Sequence, residues 1–383
     1  MNRKTNNLCW LVFVLISLAG SSPSQQSENM SVDPKSYSTV NPYAEVDWGS
    51  YGHYKASLHT HTNQSDGSLA PSDVIDRYHA LGYSVLSLTD HDTVGPPDCD
   101  KHQTTWPWQK FGRNPDQLQM VAIEGNEVGS DDMGSYFNNY GNKAVYDSIY
   151  KWDSSAYTYK PVDSDAAHKA TRVAENTLQE IRSRDGLAVM FHTGIYMHPA
   201  DWYVRLFLDF DNLLGIEAYN HASVDSWPWS MTLWDELLTE LMPTRPVWGF
   251  SNDDAHMRLP GEEGNAYPEG YAYQVLLLRE LTEKAVRKSM EKGCFYFCKV
   301  YEAGKEAPAI QSIRIDKTAG GAATLTIEAK DGQEILWISR GRIVATGSTF
   351  DIRKSRGAGR YVRAQIRGKN GYTYTQPFSL PLN

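Results

Sequence analysis

The chain has 383 residues, of which 41% are hydrophobic and 22% charged, and its formal net charge is −9. The length exceeds that of a usual single domain and the composition is ordinary for a folded protein, which excludes wholesale disorder and points to two domains, or a barrel plus an appendage. The acidic balance disfavours nucleic-acid polymers and anionic membranes as partners, yet leaves room for a small phosphorylated substrate where bound cations invert the local field.

At the N-terminus, Arg3 and Lys4 precede the apolar run Leu8 to Ala19 and the small polar stretch Gly20 to Ser24. This layout predicts a secretory signal peptide over residues 1–20, cleaved near Ser17-Leu18-Ala19, because the run falls short of the ~20 residues needed to cross a bilayer. The expected location is therefore periplasmic or extracellular, with no integral membrane span in the mature chain. Cleavage removes Arg3 and Lys4 and moves the net charge from −9 to −11. It also removes Cys9, leaving Cys99, Cys294 and Cys298. Three thiols allow one intramolecular disulfide at most. Cys294 and Cys298 lie ~13 Å apart if both stay in one strand, so they read as packing residues. Residues 21–45 form a polar leader.

From residue 46 to 304, short apolar runs alternate with helical stretches, the rhythm of βα units around a parallel sheet. The runs are Tyr54 to Leu58, Ser84 to Leu88, Met120 to Ile123, Leu187 to Phe191, Gly215 to Ala218, Val247 to Phe250 and Tyr273 to Leu278. Helices are expected over Pro71 to Leu81, Ala170 to Arg184 and Thr282 to Lys292, the last capped by Thr282 and stopped by Gly293. Residues 129–168 break the rhythm with many Tyr, Asn, Asp and Ser residues and read as a folded insertion able to roof a site. Trp227 and Trp229, flanking Pro228, are placed in a loop. After Lys305, short β-rich segments separated by Gly, Asp or Asn predict a small antiparallel sandwich over 305–383. That segment contains no His and no Cys, so no chemistry is assigned to it.

Several of the runs end in a cluster of acids and imidazoles: LHTHTNQSDG, TDHD, EGNE, FHTG and NDDAH. Functional groups of α/β barrels collect at the carboxyl ends of strands. In the first cluster His59 and His61 are two apart on an extended segment, so both rings reach one side. Asp254 and His256 repeat that spacing. Together His59, His61, Asp66, His91, Glu127, His192, Asp254 and His256 supply five imidazoles and three carboxylates. One ion uses three or four protein ligands, so the set is sized for two or three divalent ions, with Glu127 suited to bridging. Ions ~3.5–4 Å apart can hold a bridging hydroxide for in-line attack, which needs no serine nucleophile. Neither a GxSxG elbow nor a P-loop is present. Glu124 could replace Glu127, and Asp253 could replace Asp254, on spacing alone.

LHTHTNQSDG, TDHD, EGNEVG, MFHTG, GIEAYN and NDDAH resemble, in order, the motifs of the PHP (polymerase and histidinol phosphatase) superfamily of metal-dependent phosphoesterases. The resemblance covers Lys55 to Phe297 and is nearest the secreted branch with a C-terminal β-domain, the carbaryl-hydrolase-like metallohydrolases. It implies an α/β fold, a distorted seven-stranded (β/α) TIM-like barrel, with a metal site of manganese, iron or zinc at the strand ends. It also implies that His59, His61, Asp66, His91, Glu127, His192, Asp254 and His256 are ligands and that His221 is a further ligand or catalytic group. Apart from the resemblance, Arg258, two residues beyond His256, is placed to hold a phosphate oxygen, and Asn220 is a second candidate for substrate contact. The expected activity is hydrolysis of a phosphate ester of a small molecule. An amide, carbamate or carboxylic ester hydrolase on the same scaffold is the alternative, and a glycan-binding protein with a vestigial site is a third reading.

Overall fold

The computed structural model describes residues 40–91, 105–128, 133–138, 150–155, 158–161, 169–259, 262, 267–317, 323–353 and 357–380. The expected signal peptide, most of the leader, Cys99 and much of the 129–168 insertion lie outside the described residues.

Strands β1 (Gly52–Ser57), β2 (Val85–Ser87) and β3 (Val121–Ile123) run parallel, with Ala56 opposite Val85 and Leu86 opposite Ala122. Helix α1 (Pro71–Ala80) crosses between the first two; Pro71 opens it, and Val74, Ile75 and Tyr78 bury its apolar face. The short α2 (Pro115–Leu118) precedes β3. Next come β4 (Gly125–Val128) and β5 (Met133–Tyr136), then a separate antiparallel pair, β6 (Tyr150–Asp153) with β7 (Thr158–Pro161). Helix α3 (Lys169–Ser183) leads to β8 (Leu187–Met190), followed by α4 (Thr193–Tyr196), α5 (Ala200–Asp209), β9 (Leu213–Asn220), α6 (Trp227–Leu241) and β10 (Trp248–Asn252). β8, β9 and β10 are parallel and share a sheet in the order β10-β9-β8-β5-β4.

Several features differ from what the sequence predicts. β5 is antiparallel to both β4 and β8, since the four residues between β4 and β5 are too few for a crossover. Within the 129–168 insertion, Met133–Tyr136 is thus a buried sheet strand and not part of a roof. Trp227 and Trp229 open α6 where a loop was expected, because Pro228 at a helix start has no N–H to leave unpaired.

β11 (Ala272–Leu278) is antiparallel to β1 and to β12 (Phe295–Val300), and between them α7 (Glu283–Lys292) starts at Thr282, whose hydroxyl accepts the Ala285 N–H, and ends at Gly293 with φ +69°. Cys294 and Cys298 are free thiols at the edge and within β12, as packing residues. The later strands are β13 (Ala309–Lys317), β14 (Ala323–Lys330), β15 (Gly332–Ser339), β16 (Arg342–Thr346), β17 (Thr349–Asp351), β18 (Tyr361–Gly368), β19 (Gly371–Tyr374) and β20 (Phe378–Ser379). β13, β14 and β17 form their own antiparallel sheet. The others continue the first sheet, because β19 pairs with β12, Phe297 lying opposite Tyr374. Gln376, between β19 and β20, turns inward, where its amide accepts from Gly249 N at 2.9 Å and donates to Gly249 O at 2.8 Å.

One buried cluster, with Leu58, Val189, Phe191, Phe250 and Leu276, lies beneath the clustered motifs; another spans α1 and the C-terminal strands through Tyr78, Tyr296, Trp337 and Ile366. Asp235 of α6 is tied to β18 by Arg363 Nε at 2.8 Å and Nη2 at 2.7 Å. Tyr37–Asn383 forms one compact unit; the other, Met1–Ser36, lies outside the described residues. Among the described residues, no helix is long and apolar enough to cross a membrane.

Candidate metal centre

Past its last ladder bond, β1 stays extended through Leu58-His59-Thr60-His61, so alternate side chains share a face. His59 and His61 are both buried, with their Nε2 atoms 3.1 Å apart. Thr60 N donates to Thr89 Oγ1 at 3.0 Å on one flank. On the other, Asp254 N donates to His59 O at 3.1 Å and His61 N donates to Ala255 O at 3.0 Å. The HxH and DxH segments are therefore hydrogen-bonded to each other. That parallel bridge, Thr60 to Ala255, and a second from His91 to Glu127 connect the ends of the two sheets.

The tautomers follow from the neighbours. Glu217, in the middle of the wholly buried β9, accepts from His59 Nδ1 at 2.8 Å. Ser65 Oγ donates to Asp90 at 2.6 Å, so at 3.2 Å from His61 Nδ1 it serves as that ring's acceptor. With both Nδ1 atoms donating, both Nε2 atoms turn lone pairs toward one point. Glu127 Oε2 lies 3.2 Å from His59 Nε2 and 3.0 Å from His61 Nε2, and Asp254 Oδ1 lies 3.1 Å and 3.2 Å from the same atoms. Four donors around a tetrahedral ion at 2.0–2.1 Å would sit roughly 3.3 Å from one another. Lone pairs and anionic oxygens converging at that spacing are the donor set of a divalent cation.

A second group, His61, Asp66, His91 and His256, adjoins the first and shares His61 with it. His256 Nε2 lies 3.2 Å and His91 Nε2 3.6 Å from Asp66 Oδ2, and His91 Nδ1 lies 3.4 Å from Glu127 Oε2. Glu127 uses its other oxygen, Oε1, toward His192 Nε2 at 2.8 Å. Its two oxygens thus face different imidazoles, the posture of a bridge. The Asp66 side chain is 47% exposed and that of His91 25%, so the outer group faces the solvent while His59, His61 and Glu127 lie at its floor. Two of the expected ligands hold backbone angles that non-glycine residues rarely adopt, His192 at φ +22° and Asp254 at φ +51°.

Burial works against charge here and is overruled by the mutual attraction of the groups. It would raise the Glu127 and Asp254 carboxyls, but the surrounding imidazoles hold both well below the usual carboxylate range. It would likewise depress His61, but hydrogen bonds that the ring donates to Asp254 and Glu127 lift it to about 10 in the metal-free chain, where a proton on Nε2 takes the place an ion would fill. His91, which lies farther from the acids, stays depressed by burial.

The structure brings all eight expected ligands into one network and places Asp254 and Glu127, not their neighbours, within it. Asp253 points away, accepting from Gly270, Tyr271 and Ala272 N at 2.7–2.8 Å. His221 is not in either group; it stacks on Tyr271 at 4.1 Å, and burial with Lys299 nearby pushes its pKa down to about 4. Asn220 donates to Glu217 at 2.9 Å and to Asp254 Oδ2 at 3.2 Å, which positions a ligand. Arg258 Nη1 donates to Asp66 O at 2.9 Å and holds the loop that carries this acid. Glu217 and the Thr62–Ser65–Asp90 hydrogen bonds are site residues that the sequence reading did not single out. The signal for Glu217 was a lone acid in the otherwise uncharged strand LLGIEAYN.

No family model matches the chain. Over 44 residues, 12% of the chain and 16% of the relative, it is 46% identical to a 5'-3' exoribonuclease of Haemophilus influenzae. Over 38 residues, 10% of the chain and 13% of the relative, it is 53% identical to a 3',5'-nucleoside bisphosphate phosphatase of Chromobacterium violaceum. The matched stretches thus span less than a fifth of these relatives. A solved two-domain protein of Bacteroides vulgatus, in which a PHP-like metal-dependent phosphoesterase is predicted, shares 14% identity at a TM-score of 0.47, covering 87% of this chain and 96% of that one.

Proposed function

We propose that the chain is an exported PHP-type metal-dependent phosphoesterase acting on a small phosphorylated molecule through two or three divalent ions of manganese, iron or zinc. The observation that carries this reading is the pair of adjoining ligand groups with Glu127 between them. When bound, such ions would polarise a phosphoryl oxygen and acidify water to a pKa of ~7. His59, His61, Glu127 and Asp254 would hold the deep position; Asp66, His91 and His256 would hold the outer one, and His192 would complete the Glu127 side. Glu217, Ser65 and Asp90 keep the imidazoles turned lone pair inward. Substrate would approach over the outer group, where Asp66 and His91 are exposed. The names of the two relatives favour phosphorus as the target, and the formal charge of −9 favours a small substrate over a nucleic-acid strand. In this reading the strands up to β12 in the two sheets are arcs of a distorted seven-stranded barrel, and residues 305–383 are a β-sandwich, one of whose sheets runs on from β12 through β19.

Elemental analysis of the chain lacking residues 1–20, followed by aryl phosphate and aryl ester assays with added manganese, tests the proposal. The expected result is more than one ion per chain and turnover of phosphates alone, with both lost in His61→Ala. Turnover of esters without phosphates would overturn it in favour of a carbonyl hydrolase.

A further inference from the structure

Lys299, near the end of β12, sits in a box of rings. Its Nζ lies 3.3 Å from the Trp227 centroid, 4.9 Å from Tyr219 and 5.4 Å from Tyr372. Among the described residues no carboxylate pairs with it, and burial pulls its pKa down to about 8. Ring faces compensate an ammonium only in part, so a half-buried lysine in such a box retains unmatched positive charge.

The box adjoins the metal centre. β12 is antiparallel to β11, and β11 to β1, so β12 points the same way as β1 and ends on the ligand side. Ser251 Oγ donates to Cys298 O at 2.7 Å, fastening the end of β10 beside Lys299. Tyr219 precedes Asn220, whose amide reaches Asp254. The His221 ring lies within the field of Lys299 and 3.4 Å from the Tyr219 hydroxyl. A cation, a neutral imidazole and three aromatic faces thus stand beside the ligands without holding any of them.

We propose that Lys299, walled by Trp227, Tyr219 and Tyr372, is the specificity-determining residue for the leaving group, binding a second anionic substituent, carboxylate or phosphate, carried by the phosphate ester. This rests on the phosphoesterase reading above. The rings exclude water around the ammonium, which strengthens its attraction for an anion relative to a solvated surface lysine. A substrate with one anionic group at the ions and another at Lys299 is held at two points, which fixes the ester bond between them.

Calorimetric titration of the metal-loaded protein with non-hydrolysable probes tests this. Phenylphosphonate is compared with the 2-, 3- and 4-phosphonobenzoates and with the 1,3- and 1,4-phenylenebisphosphonates. At least one doubly anionic probe is expected to bind about 10-fold more tightly than phenylphosphonate, a difference of about 1.4 kcal/mol. That ratio should fall to near one in Lys299→Met and return in Lys299→Arg. Because each protein is its own reference, a general loss of affinity does not imitate the result. Whether the carboxylate or the phosphonate series gains identifies the substituent. Equal affinities across all probes in the unmodified protein, or a ratio that survives Lys299→Met, would overturn the proposal. A persistent preference in a protein that hydrolyses no aryl phosphate would sink the phosphoesterase reading and leave the subsite standing.

Discussion

Replacing Glu217 by Gln probes how much the metal centre depends on a residue that contributes no ligand to either group. Glu217 Oε1 accepts from His59 Nδ1 at 2.8 Å and from Asn252 Nδ2 at 2.8 Å; Oε2 accepts from His192 N at 2.7 Å and from Asn220 Nδ2 at 2.9 Å. Glutamine keeps one carbonyl oxygen, so whichever way the amide turns, its NH2 meets two donors. Each buried donor left unsatisfied costs about 1–3 kcal/mol, which sets the expected loss of stability for the two at about 2–6 kcal/mol. If the NH2 faces His59, that ring must carry its proton on Nε2, the atom aimed at the cluster. Loss of such a partner lowers metal affinity about 10–100-fold. Competition against a chromophoric chelator reads the affinity, and urea unfolding of the metal-free chain reads the stability. Unchanged affinity together with an unchanged urea midpoint would refute the claim that Glu217 orients His59.

Asp235→Ala should cost about 3–5 kcal/mol in urea unfolding, because it strands the buried Arg363 guanidinium, and the double change Asp235→Leu, Arg363→Met should recover part of the loss. A single variant as stable as the parent would show that β18 is anchored by other contacts. His221 gives a pH signature: its pKa is about 4 in the fold against 6.5 when free, so its neutral form contributes stability that is complete above 6.5 and is lost as pH falls toward 4. Allowing for partial exposure, the parent should lose about 1–3 kcal/mol more than His221→Gln between neutral pH and pH ~4. Parallel pH profiles for the two proteins would rule this out. Asp90→Asn removes one acceptor oxygen from the Thr62 and Ser65 bonds, and chelator competition should show weaker metal binding with little change in far-UV circular dichroism.

The expected ligands that the fold brings together were legible because their geometry is local. His59 with His61, and Asp254 with His256, announce themselves by alternate spacing at strand ends, where β-structure alone fixes which side chains share a face. The offset between Asp253 and Asp254 was not fixed that way; it is decided by the φ of +51° at Asp254 and by three amides from Gly270 to Ala272 that claim Asp253. Glu217 escaped notice for a different reason. Its four donors come from β1, β8, β9 and β10 or their ends, and no sequence window contains them together. α6 was hidden because Trp-Pro-Trp reads as a turn, although proline is well suited to a first helical turn. Gln376 looks like a strand residue in sequence, yet its amide closes on Gly249 from a distant part of the chain.

The bridge between Thr60 and Ala255 lies where two separately laddered sheets meet, and ligands stand on both sides of it: His59 and His61 belong to one sheet, Asp254 and His192 to the other. Each ion held there would act as a clasp across a seam. Ions bound only by the folded chain at 100 times their dissociation constant add about 2.7 kcal/mol to its stability. In this chain that increment would be concentrated where the sheets are joined by few bonds. Chelation should therefore speed hydrogen exchange first at the His61 and Asp254 amides, while the interior of each sheet keeps its protection.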